Sequence, residues 1–137
     1  MDVMQVRAQL LRRAEASRAQ IDAILSVPDA DAELIRQHLR TYVLGRLGLD
    51  ETVEEENILR LSGMSIARSV ELANQGVQVS DISPGCSGVS SEAAKKALLL
   101  VTLQKALDIR LDKERAAYLE TLSDLASELS RCLKAKG

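Results

Sequence analysis

The chain has 137 residues, 46% of them apolar, 1% aromatic and 28% charged, with a formal net charge of −2. A core with almost no aromatic side chains has to be built from Leu, Ile, Val and Ala, which favours packed helices over a sheet. The charge balance excludes a generally basic nucleic-acid binder, and no apolar run approaches the roughly 20 residues that cross a bilayer.

The first element predicted is an amphipathic helix over residues 2–26. Val3, Val6, Leu10, Ala14, Ile21 and Leu25 recur at helical spacing, with Arg7, Arg12, Arg13 and Arg18 among them. Arg12, Arg13 and Glu15 also interrupt any signal-peptide core, so a cytoplasmic location with free thiols is expected. Val27-Pro28-Asp29 breaks the helix. Asp31 is placed to cap a second helix carrying Leu34, Ile35, Leu39, Tyr42, Val43 and Leu47, and Gly48 is a natural stop. An acidic loop, Glu51 to Glu56, leads through Ile58, Leu59, Leu61 and Ser62-Gly63-Met64-Ser65 to a short helix expected over Ile66 to Asn74. Val77-Gln78-Val79 alternates like a strand, though three residues are too short to stand alone.

The segment Asp81–Ala94, "DISPGCSGVSSEAA", is the one concentrated loop, and it ends as a helix start. Ser90 or Ser91 can cap the amides that follow, and Glu92 suits the positive end of the helix dipole. The helix from Glu92 to about Leu107 is apolar nearly all round in its middle and is expected at the centre of the bundle. Asp108-Ile109-Arg110-Leu111-Asp112 reads as a connector with two buried apolar residues, and Lys113–Tyr118 follows. Leu119, Leu122, Leu125, Leu129 and Leu133 then line one face of a last helix, capped by Thr121 or Ser123. The fold class expected is all-α.

Residue types that could do chemistry are sparse. His38 lies between Arg36 and Arg40, where a solvated side chain is expected and not a catalytic base. Glu54, Glu55 and Glu56 form a charged loop without a spaced ligand set, and Cys86 and Cys132 lack metal-ligand spacing. Gly85 and Gly88 precede a helix start, with Lys95 and Lys96 one turn on, so an anion site is conceivable, but the lysine-hydroxyl element of a nucleotide loop is absent. Cys86 sits near a glycine with no histidine nearby to activate it. Catalysis by this chain alone is not expected.

Leu98–Leu129, "LLLVTLQKALDIRLDKERAAYLETLSDLASEL", resembles the second half of acyl carrier proteins, and Leu34–Asp50, "LIRQHLRTYVLGRLGLD", is similar to the first helix and Leu-Gly-Leu exit of that family. The resemblance implies an acyl-carrier-like helical bundle over residues 31–133. To it are added an accessory N-terminal helix within residues 1–27 and an enlarged first loop. It further implies a 4′-phosphopantetheine arm on a serine at a helix start, a phosphopantetheinyl transferase and acyl-loading or biosynthetic enzymes as partners, and no enzymatic activity of the chain itself. The family's Asp-Ser-Leu triplet is absent. Ser91, in Gly88-Val89-Ser90-Ser91-Glu92, heads a longer helix than Ser65 does and is the first candidate for attachment. Ser65, in Leu61-Ser62-Gly63-Met64-Ser65-Ile66, is the alternative. The other reading of the same residues is a non-enzymatic helical adaptor without a prosthetic group. In that reading residues 2–26 are the docking or homo-oligomerising element and Ser91 is only a cap.

Overall fold

The computed structural model of the chain describes residues 3–74 and 91–136. The described residues form α1 (Val3–Leu25), a 3-10 turn (Pro28–Ala30), α2 (Ala32–Arg46), α3 (Ile58–Asn74), α4 (Glu92–Leu107), α5 (Lys113–Ala117) and α6 (Leu122–Lys136). Over the described residues the all-α expectation holds. The strand expected at Val77–Val79 and the loop around Gly85, Cys86 and Gly88 lie outside the described residues.

Local chemistry sets the helix ends. The Asp31 carboxylate accepts the backbone N–H groups of Glu33 and Leu34, at 3.0 and 3.1 Å, and so starts α2. At the other end Gly48 takes φ 67°, and the N–H of Leu49 closes back on the Leu44 carbonyl at 2.9 Å. The left-handed residue and that bond together satisfy the last carbonyls of the helix. α4 ends in the same way with Asp108 at φ 53° and Ile109 N–H on Gln104 O at 3.0 Å. Asp112 caps α5. Thr121 Oγ1 accepts the Asp124 N–H at 3.1 Å while Asp124 Oδ2 accepts the Thr121 N–H at 3.2 Å, a reciprocal capping box at the head of α6.

The starts of α3 and α6 are tied together by backbone. Ile58 N–H donates to Glu120 O at 2.8 Å and Leu122 N–H to Glu56 O at 3.0 Å, an isolated antiparallel bridge centred on Asn57 and Thr121. Ile58 and Leu122, the first residues of the two helices, are thereby fully buried.

The core is aliphatic. Ile35, Leu39 and Val43 of α2 meet Leu61 of α3, Leu99, Leu103 and Leu107 of α4 and Leu125 and Leu129 of α6, all without exposure to solvent beyond 1%. Each such side chain contributes about 1.5–3 kcal/mol of transfer free energy. The expectation that α4 is the central helix is corrected. Its buried line is Lys95, Leu99, Leu103 and Leu107 with Leu100 beside it, while Val101 is 44% exposed. α2 takes the central place because α1 and α6 both pack on it, which buries every residue from Tyr42 to Gly45.

Two further expectations are revised. α3 begins at Ile58, not Ile66, so Ser62-Gly63-Met64-Ser65 is helix interior. Ser62 and Ser69 return their hydroxyls to the carbonyls four residues earlier, at 2.9 and 3.0 Å, which lets small polar residues continue a buried helix. α1 is also more than an appendage. It lies along α2, Ile24 joins the main core, and the buried Ser17 hydroxyl donates to the Tyr42 carbonyl. Among the described residues no helix is long and apolar enough to cross a membrane.

Candidate functional site

Ser91 is exposed and occupies the cap position of α4 with extended backbone, φ −109° and ψ 145°. Its Oγ accepts the Ala94 N–H at 3.0 Å. A hydroxyl that accepts one bond keeps its own proton to donate, so capping leaves the oxygen chemically available. The next residue, Glu92, lies against α3. A Cβ built on Gly63 would stand 2.8 Å from Glu92 Oε1, so the Glu92 carboxylate rests on the face of α3 that this glycine leaves open.

Ser65 has a different environment. It is 1% exposed, its hydroxyl donates to the Leu47 carbonyl at 2.7 Å, and its oxygen accepts from Lys95 Nζ at 2.9 Å. Lys95 is itself 2% exposed. A modifying enzyme has no path to that oxygen in this fold. Lys95 therefore points into the α3–α4 seam and contributes nothing to an anion site beside Ser91; of the lysine pair only Lys96 is half-exposed. One signal for this was readable in the sequence: Lys95 falls in register with Leu99, Leu103 and Leu107, four residues apart along one helical line.

Two of the other sequence candidates prove to be struts. His38 is half-buried with Nδ1 2.7 Å from Gln20 Oε1, and so joins α2 to α1 instead of facing solvent. Glu56 bridges Arg36 and Arg40 of α2 at 3.1 and 2.7 Å. Arg40 also donates to the Val53 carbonyl at 2.8 Å, so the arginines of α2 hold the acidic loop against the bundle. Glu55 accepts the N–H groups of Asn57 and Glu56, which hold its carboxyl below the usual value. Among the described residues no cluster of metal-ligating side chains occurs.

A charged centre that sequence reasoning missed sits on α6. Glu128 is 7% exposed, and its carboxylate is bonded by Arg131 and paired with Arg115 at 3.3 Å. Hydrogen bonding from Arg131, followed by its charge and that of Arg115, keeps the Glu128 carboxyl below the ordinary value against the opposing effect of burial. Burial pushes the neighbouring Cys132 thiol up, away from reactivity.

Hollows on the surface differ in what they can hold. The pocket between α1 and α2, lined by Ala16, Leu44 and Gly45, has about 100 Å³, well under the roughly 300 Å³ of a small-molecule site. A wider groove of about 600 Å³ runs between α1, the loop after α2 and α3, past Leu49, Val53, Met64 and Ala67, with Gln9, Asp50, Arg68 and Glu71 also lining it. No family model, characterised protein or solved structure matches the chain.

Proposed function

We propose that this chain is an acyl carrier-like protein that holds an acyl or aminoacyl group on a 4′-phosphopantetheine arm at Ser91 and performs no chemistry of its own. The observation that carries this reading is the exposed Ser91 hydroxyl at the head of the sixteen-residue α4. The first-turn amides and the helix dipole at that position favour a phosphate ester. Bound there, the arm would supply the thiol and the reach, and the protein would supply orientation. The groove past Leu49, Val53, Met64 and Ala67 offers an apolar surface for the carried group. Partners are a phosphopantetheinyl transferase and acyl-loading or biosynthetic enzymes, all in the cytoplasm.

A second reading, a helical adaptor without a prosthetic group, is favoured by α1. Val3, Met4 and Leu11 are 41%, 82% and 45% exposed, an apolar strip available for docking or self-association. Intact mass after incubation with coenzyme A and a broad-specificity transferase separates the two. An added arm supports the carrier, and an unchanged mass leaves Ser91 as a cap.

A further inference from the structure

We infer that the groove between the end of α4, the 108–112 connector, α5 and the C-terminal half of α6 is a docking surface for an acidic, partly apolar segment of another protein. The inference does not rest on Ser91. The groove has about 750 Å³, with Val101, Leu111 and Ala116 along its floor and Arg110, Lys113 and Arg131 on its walls. It continues into two smaller hollows of about 340 and 300 Å³ that share Arg110 and Ile109 and add Lys136 and Lys105 respectively. The run is too extended for one small anion and suits a stretch of polypeptide.

The cationic side chains of this surface, Arg110, Lys113, Arg131, Lys105 and Lys136, outnumber its carboxylates. Arg110, Lys113 and Lys105 are exposed and make no ion pair among the described residues. Arg131 is fixed by buried Glu128, whose side chain is 8% exposed against 48% for the arginine, so the carboxylate lies inside and the guanidinium stays at the groove. Two carboxylates share this surface: Asp112 is turned to the amides of Glu114 and Arg115 as the cap of α5, and Asp108, which lines both smaller hollows, pairs with Lys136 at 3.2 Å. A cationic rim around an apolar floor, on a chain whose net charge is −2, is complementary to acidic side chains interspersed with apolar ones. Nucleic acid fits less well, because the lining has no aromatic side chain on which bases could stack.

Fluorescence anisotropy with a labelled peptide of Glu and Leu, a matched peptide of Lys and Leu, and a single-stranded oligonucleotide tests the inference. The acidic peptide is expected to bind saturably and more weakly as salt rises. Affinity should fall at least about tenfold in Arg110→Glu/Lys113→Glu and in the milder Arg110→Gln/Lys113→Gln. Arg12→Glu/Arg18→Glu, which makes the same net charge change on α1, should bind like wild type. Four results would overturn the inference: no saturable binding of the acidic peptide, an equal loss in the α1 variant, binding of the Lys/Leu peptide with similar affinity, or binding of the oligonucleotide with similar affinity. A dimer of the free protein that dissociates in the groove variants would also overturn it, by assigning the surface to a second copy. None of these outcomes depends on whether Ser91 carries an arm.

Discussion

Lys95 of α4 donates a 2.9 Å hydrogen bond to Ser65 of α3, and the two residues are 2% and 1% exposed. The same serine hydroxyl donates to the Leu47 carbonyl, so one oxygen joins α4, α3 and the end of α2. Ser65→Ala removes an acceptor from a buried ammonium and a donor from a buried carbonyl. The expected cost is about 1–3 kcal/mol, read as a lower urea midpoint at unchanged slope. An unchanged midpoint would show that this bond does not hold the seam.

Leu103 has no exposed surface. Leu103→Asp places an unpaired charge among Leu99, Leu107 and the α2 side chains, at an expected cost of several kcal/mol, enough to unfold a typical small domain. Thermal melting followed by circular dichroism checks it. A cooperative transition near the wild-type midpoint would contradict the placement of α4.

Removing residues 1–27 takes away Ile24 and the Ser17 bond to Tyr42 and uncovers one side of α2. The truncated chain is expected to melt at a clearly lower temperature or without cooperativity. A wild-type midpoint would return α1 to the status of an accessory helix.

Glu128 makes stability depend on acid. Its folded-state carboxyl lies below the ordinary value of 4.5 because Arg131 and Arg115 favour the ionised form. The stabilisation is therefore fully present above the unfolded value and is lost as pH falls through the folded value. Glu128→Gln should be less stable than wild type at neutral pH, and the gap should narrow in acid. A gap that stays constant from neutral pH to well below 4.5 would contradict the pairing.

The sequence made the elements legible where local chemistry decides them: the Asp31 and Thr121 caps, Gly48 after α2, Ser91 before α4, and the Leu stripe of α6. It misled where tertiary contacts decide. Ser62-Gly63-Met64-Ser65 has the composition of a linker, yet Gly63 admits Glu92 and Ser65 is satisfied by Leu47 and Lys95, partners far away in sequence. The apolar breadth of α4 suggested the centre, but α2 is packed by two helices and Val101 remains at the surface. Of the two candidate serines the sequence could only compare helix lengths and flanking residues. Burial separates them, because one oxygen faces solvent and the other is bonded inside the bundle.

The central claim is a carrier loaded at Ser91, and intact mass spectrometry with coenzyme A and a promiscuous transferase tests it most directly. The account predicts one added phosphopantetheine on wild type and on Ser65→Ala, and none on Ser91→Ala. Addition that persists in Ser91→Ala, or no addition to wild type under conditions that modify a known carrier, would contradict it.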